Sequence, residues 1–269
     1  MRSLLYDFRR YFEQQKEEGI EYLESSSPGG LARPPRRPAA RPVTAAAAKA
    51  SRPAAPVPRP AAAPAPGPPL PPPAAGKAAS DPREAYRTLL EELRVCRKCP
   101  LSGTRNHTVP GEGGNRQQVL FIGEGPGRDE DLSGRPFVGR SGKLLDKILA
   151  AVSLGREDIY ITNIVKCRPP GNRDPEPAEV IACRPFLETQ IKLLRPRLIV
   201  TLGLPAARTL LESTDSLGRL RGRFHDYQGI PLLPTYHPAY ILRSYTVENR
   251  KKAWEDIKMV RDFLAGLRK

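Results

Sequence analysis

Three histidines, four cysteines, two methionines and one tryptophan are all that 269 residues hold of those types. No run of about 18 apolar residues occurs, which excludes a conventional membrane-spanning helix. Residues 1–23 alternate charged and apolar side chains and lack an apolar core followed by a small-residue cleavage site. A secretory leader is therefore not expected, and the expectation is an intracellular, cytoplasmic chain. In that compartment disulfides are disfavoured, so Cys96, Cys99, Cys167 and Cys183 invite a metal reading. Acid is missing altogether from residues 28–80, which hold 16 prolines, many alanines and eight Lys/Arg. Such a stretch cannot bury enough apolar surface to offset its conformational entropy and reads as a disordered, extended linker.

What is abundant is positive charge. The formal net charge is +15, of which residues 1–80 contribute +6 and residues 81–269 contribute +9. A folded region with that excess attracts polyanions, nucleic acid first among them. Ahead of the linker, residues 1–27 place Leu4, Leu5, Phe8, Tyr11 and Phe12 at helical spacing. That segment reads as an amphipathic helix too short to hold a core of its own, suited to docking on a partner.

The working domain spans residues 81–269. Asp81 as N-cap, Pro82 at the first helical position and Glu84 in the first turn predict a helix towards Val95. Apolar runs at 118–123, 158–165, 198–203 and 230–234 predict four strands. Helices are predicted over 143–152, 177–194, 205–211 and 247–267. Strands alternating with helices imply an α/β fold, a three-layer αβα sandwich around a mostly parallel four-stranded sheet, with ligands at the carboxyl ends of the strands. Gly123, Asn163 and His237 all fall at or just beyond a strand end, so three segments converge on one edge.

Two motifs suggest chemistry. Cys96-x2-Cys99 gives two ligands on one turn, while Cys167 and Cys183 are wide-spaced. Four thiolates suit zinc or an iron–sulfur cubane, and the absence of a second tight knuckle favours the cubane. Gly123-Glu-Gly-Pro-Gly127 follows a strand but matches neither a P-loop nor the dinucleotide fingerprint, and Pro126 removes an amide donor. Its glycines instead let the backbone approach a flat ligand.

Those glycines, followed by Gly134-Arg-Pro-Phe-Val-Gly-Arg140, Thr162-Asn-Ile-Val-Lys-Cys-Arg-Pro-Pro170 and His237-Pro-Ala-Tyr240, occur in the order found in family 4 uracil-DNA glycosylases. The four cysteines resemble that family's cluster ligands in spacing. The resemblance covers residues 85–265 and implies a DNA-repair glycosylase with a 4Fe-4S cluster on Cys96, Cys99, Cys167 and Cys183. It further implies a hydrolase that releases uracil from single- or double-stranded DNA and acts as a monomer.

What the resemblance implies for each residue has a physical basis. The target nucleotide must leave the stack, and Phe137 is then the plate on which uracil lies, beside the backbone of Gly123, Glu124 and Gly125. The Asn163 amide both donates and accepts, matching O4 and N3–H of uracil and opposing cytosine. A neutral His237 stabilises charge growing on O2 as an oxyanion hole does. Glu124 and Glu130 are the carboxylates available to position water, since related families carry aspartate where Gly125 stands. Arg140, Ser141, Arg243, with Arg135 and Lys143, are candidate phosphate contacts. Tyr240, Ile241 and Leu242 are candidate wedges for the vacated stack. A relative that bonds covalently to uracil-DNA carries a histidine in the loop after Asn163. The loop Lys166-Cys-Arg-Pro-Pro-Gly-Asn-Arg-Asp174 has none, so turnover by hydrolysis is expected. Because Gly125 lacks a carboxylate, the rival expectation is a non-catalytic iron–sulfur module that binds uracil or DNA. A zinc-stapled nucleic-acid adaptor is the second.

Overall fold

The computed structural model describes residues 81–113 and 118–267. The helix expected over 1–27 and the linker over 28–80 lie outside the described residues. The elements that follow are α1 (Pro82–Arg94), β1 (Glu112–Gly113), β2 (Val119–Gly123), α2 (Arg128–Ser133), α3 (Arg140–Ala150) and β3 (Ile159–Asn163). After them come α4 (Pro177–Leu194), β4 (Leu198–Leu202), α5 (Leu204–Leu211), α6 (Leu217–Leu220), β5 (His225–Tyr227), β6 (Ile230–Thr235), α7 (Pro238–Arg243) and α8 (Val247–Gly266).

The sheet has six strands in the order β1-β3-β2-β4-β6-β5. Its four central strands are mutually parallel, and the two outer ones are antiparallel additions. β2, β3 and β4 are buried at every residue, which is why they read as unbroken apolar runs. Leu120, Ile122, Ile199 and Leu232 pack with Leu187 and Ile191 of α4 and Ala206 and Leu210 of α5. Strand residues of opposite parity, Val119, Phe121 and Val200, are as deeply buried, so both faces of the sheet are covered. The sequence expectation of four strands is corrected to six. β1 has two residues, and β5 joins β6 through Gln228 (φ 54) and Gly229 (φ 84), the paired positive φ values of a two-residue hairpin.

Helix starts follow local chemistry. Asp81 accepts from Arg83 N–H at 3.0 Å ahead of Pro82, and Pro177 opens α4. At its carboxyl end α4 stops at Arg195 (φ 47). Because β2, β3, β4 and β6 run parallel, Gly123, Asn163, Gly203 and His237 emerge at one edge. In register, Gly123 pairs with Asn163.

Candidate active site

A cavity of about 680 Å³ opens at that edge, lined by the loops after β2, β3, β4 and β6. Glu124, Gly125, Glu130, Phe137, Ser141, Asn163, His237, Tyr240 and Arg243 all reach it. Gly123 stands directly behind: a Cβ there would lie 2.4 Å from Asn163 Oδ1 and 2.6 Å from Phe137 Cζ. Only glycine lets these two side chains lie against the end of β2.

Phe137 holds φ at +52, a left-handed conformation that a bulky residue adopts at a cost of about 1–3 kcal/mol. Its surroundings impose it. Glu130 Oε1 accepts from Val138 N–H and Gly139 N–H, both at 2.9 Å, and Oε2 accepts from Gly127 N–H at 3.1 Å. Arg156 donates to the carbonyls of Pro136, at 3.0 Å, and Phe137. Gly142 presses so closely beneath that a Cβ would overlap the Phe137 carbonyl. The ring, 4% exposed, stacks on His237 with centroids 5.6 Å apart and planes 30° from parallel.

Asn163 is 1% exposed, and its Oδ1 is buried without a hydrogen-bond partner among the described residues. A buried acceptor left unmet costs about 1–3 kcal/mol, and Asn163 lines a cavity large enough for a base. His237 Nδ1 accepts from Ala239 N–H at 3.0 Å, so the proton of a neutral ring sits on Nε2. Burial and, secondarily, the Arg243 guanidinium pull its pKa down to about 4, so the ring is neutral near pH 7.

Glu124 differs from Glu130. Burial first, then the charge of Asp174 and a hydrogen bond to it, push the Glu124 pKa up to about 7, with Arg243 opposing. Asp174 lines the same cavity. Its loop is anchored next door by Arg173, whose two terminal nitrogens reach Glu179 at 2.9 and 2.7 Å.

Several placements depart from expectation. Ile241 is only 3% exposed, so it packs inward and is not available as a wedge. Tyr240, 38% exposed and stacked on Tyr236 at 5.2 Å, holds the cavity rim instead. Arg140 is exposed but does not line the cavity, and Arg135 pairs with Glu112 at 2.8 Å. Sequence reasoning missed Asp174, Arg156 and Gly203. A Cβ on Gly203, at φ +93, would lie 3.2 Å from His237 Cβ. Their signals were present as polar or glycine residues at strand ends and in the 166–174 loop, but their partners are remote in sequence.

The four cysteines, none in a disulfide, converge on one small cleft between α1, the loop after β3 and α4. Arg105 donates to Cys167 Sγ at 3.2 Å. Among the described residues, no three His, Cys, Asp or Glu side chains are gathered closely enough to hold a single metal ion. Four thiols lining one cleft are an all-sulfur donor set, the kind that an iron–sulfur cluster takes.

The model of the uracil DNA glycosylase superfamily matches residues 110–258. Among curated relatives, the type-4 uracil-DNA glycosylase of Saccharolobus solfataricus is 44% identical over 187 residues, 66% of this chain and 86% of the relative. That of Archaeoglobus fulgidus is 41% identical over 185 residues, 66% and 92%. That of Thermotoga maritima is 42% identical over 183 residues, 67% and 95%. With the matched segment carrying the whole cavity edge from Gly123 to His237, the chain belongs to the uracil DNA glycosylase superfamily, among its type-4 members.

Proposed function

We propose that the chain hydrolyses the N-glycosidic bond of deoxyuridine in single- or double-stranded DNA, releasing uracil and leaving an abasic site. The observation that carries this is the unpartnered Asn163 Oδ1 beside the stacked pair of Phe137 and His237. Uracil N3–H donates to that oxygen, and the amide N–H of Asn163 donates to O4. Cytosine presents a bare nitrogen where N3–H should be and leaves the buried acceptor unmet. Phe137 supports the flipped base.

As the bond stretches, electron density moves onto uracil O2, where the Nε2–H of neutral His237 donates. The sugar turns cationic, and the ionised Glu124, sharing its environment with Asp174, stabilises it and orients the attacking water. Glu130 braces the loop that carries Phe137. Tyr240 occupies the gap in the stack, and Arg243 with Ser141 holds flanking phosphates.

Cys96, Cys99, Cys167 and Cys183 hold a 4Fe-4S cluster. When bound, it supplies a covalent tie between α1, the loop after β3 and α4, and no chemistry at the glycosidic bond. The protein acts as a monomer on nucleoid DNA in the cytoplasm, with residues 1–27 recruiting a replication or repair partner.

An oligonucleotide carrying one uracil, treated with alkali after incubation, tests the reading. The wild-type chain is expected to yield strand cleavage at uracil, lost in Asn163→Ala and His237→Ala. Folded, DNA-binding protein that cleaves nothing would overturn the glycosylase in favour of a binding module.

A further inference from the structure

Lys166 is wholly buried, and the mechanism above gives it no task. Its Nζ donates to the Thr162 hydroxyl at 2.5 Å and to the Asn163 carbonyl at 2.7 Å, on the last two residues of β3. Neither acceptor carries a charge. On its other side it lines the cleft where the thiols of Cys96, Cys99, Cys167 and Cys183 meet. A buried ammonium with no counter-charge costs several kcal/mol, and a negatively charged cluster held in that cleft would supply the counter-charge.

Arg105 repeats the pattern. It donates to Cys167 Sγ at 3.2 Å and to the Cys96 carbonyl at 2.8 Å, and makes no ion pair among the described residues. A cubane with a doubly positive core on four thiolates carries a double negative charge. Lys166, Arg105 and Lys98 all line that cleft and would offset it.

The other end of Lys166 bears on base recognition. Among the described residues nothing hydrogen-bonds Asn163 Oδ1, so its position is set through the Asn163 backbone, whose carbonyl Lys166 grips. Thr162 is fixed in turn, donating to the Pro110 carbonyl at 2.8 Å, to which Gln190 Nε2 also donates at 2.8 Å.

We infer that Lys166 is a positioning residue that ties the iron–sulfur cluster to the base-reading amide: the cluster's charge anchors the ammonium, and the ammonium fixes the end of β3 from which Asn163 projects. The inference rests on the four cysteines holding the cluster.

Lys166→Met keeps most of the stem and removes the charge and its donors. Fluorescence anisotropy on the full-length chain would compare DNA carrying one 2′-fluoro-deoxyuridine, which resists cleavage, with the same DNA carrying thymine. Iron content and absorbance near 400 nm would be read on the same samples. The expected result is a preference for the uracil nucleotide lowered roughly tenfold, the scale of a typical coupling between sites, with thymine-DNA affinity and the absorbance band retained. A loss of packing alone would lower thermal stability without moving that ratio. A variant with its band intact and wild-type preference overturns the inference.

If Lys166→Met does not load the cluster, Thr162→Val decides, because it leaves Lys166 and every cysteine in place and removes the hydroxyl that accepts from Lys166 and donates to the Pro110 carbonyl. A partial loss of preference at full iron content supports the tie, and an unchanged preference refutes it. Wild-type protein without iron or the band would overturn the cluster reading, and the inference with it.

Discussion

Gly123→Ala is the smallest change that should close the pocket. The added methyl would sit 2.4 Å from Asn163 Oδ1 and 2.6 Å from Phe137 Cζ, against an ordinary contact distance beginning at 3.4 Å. Each neighbour must retreat by about 1 Å from the place where it would meet the base. Asn163 is fixed by the pairing of β3 with β2, and Phe137 is pinned by Arg156 on its carbonyl, Glu130 on the next two amides and Gly142 beneath. Backbone strain plays no part, since Gly123 is not among the positive-φ glycines. A misplacement of about 1 Å in a positioning group lowers rate on the order of 10²-fold, or about 2.7 kcal/mol of barrier. Single-turnover uracil release reads this directly. Circular dichroism and affinity for uracil-free DNA should stay near wild type, and Gly266→Ala, whose Cβ meets nothing within 4 Å, serves as the neutral control. A folded Gly123→Ala chain releasing uracil within about threefold of the wild-type rate would refute the reasoning, because the two side chains proposed to receive the base would then tolerate displacement.

The rate of uracil release should rise as pH passes through about 7, where Glu124 ionises. It should show no acid limb from His237 until near pH 4, since that ring is already neutral above it. Asp174→Asn removes a negative neighbour that raises the Glu124 pKa, so the limb should move to lower pH in a single-turnover pH series; an unmoved limb would separate Asp174 from Glu124. Arg243→Ala should move it the other way, because the Arg243 charge favours the ionised carboxylate. The same variant should flatten the dependence of log affinity on log salt by about 0.9, one phosphate contact's worth, and a salt titration with an unchanged slope would remove Arg243 from the DNA interface.

The central strands were legible because parallel strands buried on both faces leave no polar alternation to confuse them. The outer two were not: β1 is two residues long, and the β5–β6 turn is Gln228-Gly229 in place of the asparagine or aspartate that usually marks such turns. The convergence of Gly123, Asn163 and His237 was legible because motif residues at the ends of parallel strands have only one edge to occupy. Ile241 escaped because a six-residue helix has too few turns to reveal which face is inward. Arg156 escaped because its partners Glu112, Asp146 and Phe137 lie up to 44 residues away, and no local pattern encodes a pairing at that range.

The two acids in the pocket were the least separable by sequence, and the structure gives them opposite environments. Glu130 spends its carboxylate on three backbone N–H groups. Glu124 has a raised pKa and a neighbouring carboxylate. Equal substitutions should therefore produce unlike phenotypes. In Glu130→Gln the amide oxygen can keep the bonds to Val138 and Gly139, but the amide nitrogen then faces Gly127 N–H, donor against donor. A buried donor left unmet costs about 1–3 kcal/mol, so the melting temperature should fall while the pH limb near 7 remains. In Glu124→Gln no such network is broken, so the melting temperature should hold while the rate falls and the limb disappears. Thermal melts and pH–rate profiles of both variants, taken side by side, distinguish a brace from a group at the reacting sugar. Exchanged phenotypes, a pH limb lost with Glu130 and stability lost with Glu124, would reverse the assignment and place the water at the α2 side of the cavity.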